Sequence, residues 1–177
     1  NGGKMVDTTH IASANSRGQY LLFGDLAAGS KYVVEFDMAF AASNDQGSQF
    51  AVLGSDYAYK GKNANYGCES GYILKMDAPA NAASWAITNS TKTIPTGIEN
   101  MYHYKVVVNG TTAYLTVTKG SETVVDNEIM PVNGAGGIKG LYYVSGRYTA
   151  HMQIDNIKLR KPTDREIPDV TSYTSTI

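Results

Sequence analysis

The sequence predicts an all-β protein built as a two-sheet antiparallel β-sandwich, and three observations carry that expectation. Tyr is abundant and Leu scarce, with 13 Tyr against 8 Leu; Tyr, Thr and Val suit pleated, half-buried surfaces, whereas helical cores draw on Leu. Asn, Ser and Thr together number 41, with 18 Gly besides, a supply of turn residues that fits many short connections. Finally, from Gly18 to Arg160 apolar residues alternate with polar ones between turn clusters, and no stretch sustains a helical period. At 177 residues the length is that of one domain with a core of useful size.

In chain order, Gln19–Phe23 is the first short apolar run. Tyr32, Val34, Phe36, Met38 and Phe40 then share one face of a long strand, with Glu35 and Asp37 on the other. Gln49–Leu53, Tyr72–Met76 and Ser84–Thr88 follow as further strands. Between Tyr102 and Thr118 two alternating runs flank Asn109-Gly110, a dipeptide that favours a two-residue hairpin turn. With that turn, Val106 faces Ala113, Tyr104 faces Leu115 and Tyr102 faces Val117, while Lys105 faces Tyr114 and His103 faces Thr116 on the opposite side. Glu122–Asp126, Ile138–Val144 and His151–Leu159 complete a set of about ten strands, which two packed antiparallel sheets accommodate. Residues 1–161 read as the sandwich domain. From 162 to 177 the Pro-Thr-Asp-Arg-Glu-Ile-Pro stretch and its Thr/Ser continuation read as a linker or tail, implying neighbouring modules.

Charge excludes some partners. Fifteen Lys+Arg against sixteen Asp+Glu give a net charge of −1. Without a basic run, nucleic acid is not expected as a partner. No apolar run is long enough for a bilayer span, so membrane insertion is not expected either. The single cysteine, Cys68, cannot make an internal disulfide and reads as a small buried hydrophobe. The chain opens on Asn1-Gly2-Gly3 with no initiator Met, which reads as a processed or excised piece from which any leader has been removed.

Catalytic signatures are thin, and no catalytic residue is assigned. His10, His103 and His151 lie in no triad context, and there is no Gly-x-Ser-x-Gly elbow. The best enzymatic alternative is the pair Glu35 and Asp37, two apart on one strand and so on one face, as a glycoside hydrolase or lyase would require. The competing reading makes them the wet face opposite the core. No metal site or cofactor is assigned. Asp7, Asp25, Asp45 and Asp155-Asn156 leave room for a structural calcium, although no loop shows an alternating Asp rhythm.

The tyrosines divide into two groups. Tyr20, Tyr32, Tyr102 and Tyr104 lie in apolar strands, where core packing explains them. A second group stands among polar and turn residues: Tyr57, Tyr59 and Tyr66, with Lys60 and Asn65 between them, then Trp85 after an Ala/Asn/Pro loop, Tyr143, and Arg147-Tyr148 after Ser-Gly. Sugar rings offer an apolar C–H face and a rim of hydroxyls, so an exposed aromatic plane beside amide, carboxylate and cationic groups complements them. Tyr57, Tyr59, Lys60, Asn65, Tyr66, Trp85, Tyr143, Arg147 and Tyr148 are therefore the candidate carbohydrate-binding residues.

Three stretches carry a family resemblance. Tyr32-Val33-Val34-Glu35-Phe36-Asp37-Met38 is similar to an early strand of carbohydrate-binding modules of the jelly-roll or lectin-like (concanavalin-like) sandwich type. Tyr104-Lys105-Val106-Val107-Val108-Asn109-Gly110 resembles the hairpin that follows in them, and Ile154-Asp155-Asn156-Ile157-Lys158-Leu159 their closing strand. The resemblance implies non-catalytic polysaccharide binding by a monomeric module of a secreted or cell-surface bacterial protein with several modules. Scattered basic residues favour a neutral glycan, α-glucan or starch first, then β-glucan or hemicellulose. An adhesion or protein-interaction sandwich without a glycan ligand is the other alternative.

Overall fold

A computed structural model of the protein describes residues 5–7, 18–23, 31–42, 47–59, 67–133, 137–144 and 151–167. Among these residues there is no helix. The strands are β1 (Met5–Asp7), β2 (Gly18–Leu22), β3 (Lys31–Ala41), β4 (Ser48–Tyr59), β5 (Cys68–Ala78), β6 (Ser84–Ile87), β7 (Thr93–Pro95), β8 (Gly97–Asn109), β9 (Thr112–Lys119), β10 (Glu122–Pro131), β11 (Ile138–Val144) and β12 (His151–Arg160). They form two six-stranded sheets, ordered β1-β12-β3-β8-β9-β10 and β2-β11-β4-β5-β6-β7, in which neighbours run antiparallel. This is the two-sheet sandwich that composition and alternation predict. The expected strands all occur; β1 and β7 are additions, each only three residues long.

The sheets pack through the alternate side chains of β3. Tyr32, Val34, Phe36, Met38 and Phe40 are buried in the core. The Phe36 ring stacks on Tyr104 of the neighbouring strand at 4.9 Å and meets Phe50 of the opposite sheet at 5.3 Å. Large apolar area leaves water on both sides of this seam, which is the main stabilising term of such a fold.

The β8–β9 hairpin differs from the expected register by two residues. Val108 faces Ala113, Val106 faces Leu115 and Tyr104 faces Val117, so the loop is Gly110-Thr111 and not Asn109-Gly110. Gly110 has φ +64 and Thr111 is not among the positive-φ residues, the arrangement of a type II′ turn with glycine first. Because a strand repeats every two residues, a slip of two preserves every assignment of side chains to faces. The next hairpin, from β9 to β10, repeats the design with Gly120 (φ +59) and Ser121.

The second sheet has an irregularity that matters for function. In β4, Leu53 pairs with Tyr72, but the next paired residue is Ala58, opposite Ser70. The excess length of β4 and the left-handed Gly71 (φ +73) bend the hairpin sharply. Asp77 of β5 pairs with Gln49, and Cys68 lies nine residues before it, about 30 Å away along a straight strand. Yet the Cys68 N–H donates to Gln49 Oε1 at 2.5 Å. The far half of the hairpin therefore folds back across the outer face of its own sheet. Asn133 clamps the bend, its Oδ1 accepting from Gly71 N at 3.1 Å and its N–H donating to Tyr72 O at 3.1 Å.

A Cβ on Gly71 would lie 2.3 Å from the Tyr57 Cα, on a backbone that L side chains rarely adopt. Gly71→Ala should accordingly cost about 2 kcal/mol or more. In a domain of this size that is a fall in Tm of roughly 5 °C or more; calorimetry showing an unchanged Tm would mean the bend does not need glycine.

Candidate functional site

The outer face of the second sheet can be read strand by strand from the register. Leu22, Gly140, Leu53 and Tyr72 form one row, and Tyr20, Tyr142, Ala51 and Lys75 the next. Val144, Gln49 and Asp77 form a third. Ala51, Leu53, Cys68, Tyr72, Tyr142 and Val144 make a second apolar cluster, with Tyr57 of the folded-back hairpin packed against it. Tyr20, on the edge strand β2, remains 45% exposed. Its ring sits 4.9 Å from Tyr142 at a tilt of 33°. An aromatic ring is thus backed by Tyr142 and half open to water on the edge strand.

The predicted site residues divide among several places. Trp85 and Tyr143 are core residues, 1% and 2% exposed, which corrects the expectation that they present open rings. They flank Phe40 from the opposite sheet, Trp85 at 4.0 Å and Tyr143 edge-on at 6.0 Å. The physical reason is strand parity: Trp85 sits between the outward Ser84 and Ala86, and of the consecutive Tyr142 and Tyr143 only one can face out. Tyr142 takes that position. Tyr57, expected in a loop with no apolar face to serve, lies half-buried in β4 over the second cluster. Tyr59 ends the same strand. Lys60, Asn65, Tyr66, Arg147 and Tyr148 lie outside the described residues. Tyr20, assigned to the core from sequence, is instead the exposed aromatic among the described residues. Its run Tyr20-Leu21-Leu22-Phe23 is apolar at every position, so alternation could not say which residues point outward.

Titration in this cluster follows from burial. Tyr142 is raised well above the ordinary tyrosine value, chiefly by desolvation. The Cys68 thiol is pushed up to about 11, again by desolvation first. A thiol that stays protonated at neutral pH is no nucleophile; its Sγ instead contacts Ser70 O at 3.2 Å. Gln49 joins the face together, donating to Asp77 Oδ1 at 2.7 Å.

The outer face of the first sheet is ionic. Glu35 and Asp37 share it, as their spacing predicts, but each is already engaged. Arg160 binds Glu35. Asp37 accepts from Asn156 Nδ2 at 2.6 Å and lies 2.7 Å from His103 Nδ1. Residues 162–167, read from sequence as the start of a linker, fold against this face: Glu166 meets Arg160 in two parallel hydrogen bonds of 2.7 Å. Among the described residues no group of three or more His, Cys, Asp or Glu side chains could hold a metal ion. Asp25 and Asp45, named for calcium, lie outside the described residues, and the Asn156 amide is committed to Asp37.

No protein-family model matches the sequence, and no curated protein matches it. Solved structures do. A legume lectin-like domain from Entamoeba histolytica superposes with a TM-score of 0.57 at 4% identity, covering 84% of this chain and 81% of that one. A GH131 beta-glucanase catalytic domain from Podospora anserina superposes with a TM-score of 0.54 at 11% identity, covering 92% and 72%. At such identities the likeness is one of fold: the chain is an all-β two-sheet sandwich similar to that of the legume lectin-like domain.

Two outcomes follow from these placements. Trp85→Ala should cost about 3–5 kcal/mol by opening a cavity against Phe40, whereas Tyr20→Ala should cost about 1 kcal/mol, the scale of one aromatic pair. Chemical denaturation of both variants separates a core role from a surface role. Glu166 is held well below the usual carboxylate range, first by its hydrogen bonds from Arg160. A lowered carboxylate stabilises the fold above its unfolded value near about 4.3 and loses that contribution as pH falls through the folded value. Glu166→Gln should therefore melt a few degrees below the parent at pH 7, with the gap closing as the solution is acidified below about pH 4.

Proposed function

We propose that this domain is a non-catalytic glycan-binding module whose site is the aromatic step formed by Tyr20 and Tyr142 beside the folded-back hairpin. The observation that carries the reading is the Tyr20 ring, half exposed on an edge strand yet fixed from behind by Tyr142. A side chain already ordered loses little entropy when a ligand stacks on it, so a larger share of the contact free energy appears as affinity. Tyr57, at the hairpin edge, would supply a second surface, with the exposed Asp56 next to it for hydroxyl groups. Tyr59, Lys60, Asn65 and Tyr66 continue the same hairpin in sequence and complete the proposed contact set.

A neutral plant polysaccharide is the ligand this composition favours, an α-glucan such as starch first and a β-glucan or hemicellulose next. A short aromatic step suits one chain in a groove better than the long flat row a crystalline surface demands. Glu35 and Asp37 belong to the framework in this reading, because cations and amides already occupy both carboxylates. The proposal extends, on the family resemblance, to a monomeric module of a bacterial protein acting outside the cell or at its surface.

Affinity electrophoresis through gels containing starch, β-glucan, xylan, mannan or pectin tests this directly. The parent domain should be retarded in at least one neutral gel, and Tyr20→Ala should weaken that retardation about tenfold, the effect of roughly 1.4 kcal/mol. Migration unchanged in every gel would overturn the binding assignment. Retardation untouched by Tyr20→Ala would move the site elsewhere.

A further inference from the structure

Two cations meet on the outer face of the first sheet, on the side of the sandwich away from Tyr20. Arg160 of β12 pairs with Val33 of β3, and Lys105 of β8 pairs with Glu35 in the next row. They are far apart in sequence, and only the strand order brings them together. Lys158, paired with Glu35 from the other side and exposed, adds a third positive charge.

Glu166 occupies the place between Arg160 and Lys105. The guanidinium grips its carboxylate fork to fork, Nη1 to Oε2 and Nη2 to Oε1 at 2.7 Å each, and Lys105 Nζ lies 3.3 Å from Oε1. This is the geometry with which Arg takes a carboxylate of any origin. The segment that delivers Glu166 is one short turn. Its bonds are local, Glu166 N and Ile167 N to Thr163 O at 2.9 and 3.0 Å, and Thr163 N to Glu166 Oε2 at 2.9 Å. The ion pairs that tie Glu166 to Arg160 and Lys105 are partly exposed, a kind of contact that is weak in water and sensitive to salt.

We infer that Arg160 and Lys105 form a carboxylate-binding site which Glu166 fills from within the chain, and that the external ligand displacing it is a uronate residue of an acidic polysaccharide. With Glu166 lifted away, Arg160, Lys105 and Lys158 face Glu35, and Asp37 stays with His103 in the next row. Beside them the sheet continues in the rows Lys105–Thr116 and His103–Thr118, hydroxyl and imidazole groups on an open surface suited to a sugar's hydroxyl rim. A polyuronate repeats its carboxylate along the chain, so it presents many copies of the competing group, against which Glu166 has the advantage of being tethered. The site is distinct from the Tyr20 step and takes a ligand of different charge, so either can fail without the other.

Removing the internal competitor is the test. Glu166→Gln in the full chain should bind polygalacturonate at least tenfold more tightly than the parent in low-salt affinity electrophoresis. The double variant Arg160→Gln with Glu166→Gln should return to parental mobility or weaker, and mobility in a starch gel should be the same for all three. A folded Glu166→Gln variant that binds polygalacturonate no better than the parent overturns the site. Equal gain toward poly-L-glutamate overturns the sugar assignment in favour of an acidic peptide. Independently of any variant, saturating polygalacturonate should speed amide exchange at Glu166 and Ile167 in the parent protein, as the turn leaves the sheet; unchanged exchange overturns the displacement.

Discussion

The structure depends on the contact between Phe40 of one sheet and Trp85 with Tyr143 of the other. A β-sheet has two faces, and a strand must give alternate residues to each. Once Phe40, Phe36 and Phe50 fix which residues face the partner sheet, every other side chain of those strands is assigned. Tyr142 must point outward because Tyr143 points inward. Glu35 and Asp37 must share the outer face because Phe36 does not. The aromatic seam therefore decides both what holds the fold together and what is left to meet a ligand.

The two outer faces then meet water differently. On the second sheet the outward positions are apolar, including Ala51, Leu53, Tyr142 and Val144, and a sheet bearing them uncovered would be prone to association. The β4–β5 hairpin covers them by folding back, which requires a bulge in β4 and a glycine at the bend. On the first sheet the corresponding positions include Glu35, Asp37, His103, Lys105 and Arg160, which are engaged in ion pairs. The apolar face yields a shielded aromatic step, the ionic face an array of exchangeable contacts.

The architecture was legible in the sequence because it rests on period-two patterns, and β3 displays hers without interruption from Tyr32 to Phe40. The hairpin turn was misplaced by two residues, yet the sides came out right, since the same periodicity is indifferent to an even slip. The site was less legible. Trp85 looked exposed because small and polar residues surround it, but those neighbours are the outward partners of an inward ring. Tyr20 looked buried because its run is uniformly apolar, and only its position at a sheet edge leaves it open. The fold-back could not be read at all: nothing local to Ser55-Asp56-Tyr57 or to Gly71 says that two strands will bend together. Nor could the meeting of Arg160 with Lys105, which depends on strand order.

Gln49 shows how closely the fold-back and the sheet are fitted. It stands on the outer face of β4, where a solvated polar residue would be unremarkable, but the hairpin returns over it and leaves it buried. Its amide then serves both sides of the covered layer, Oε1 accepting the Cys68 N–H of the returning strand and Nε2 donating to Asp77 of the sheet beneath. A leucine there would fill the space equally well but would leave the Cys68 N–H buried without that acceptor, at a cost of about 1–3 kcal/mol. An apolar cover alone would permit the hairpin to settle in several positions on a flat surface. A single amide that must meet one donor and one acceptor selects one of them, and so fixes where Tyr57 lies relative to Tyr20.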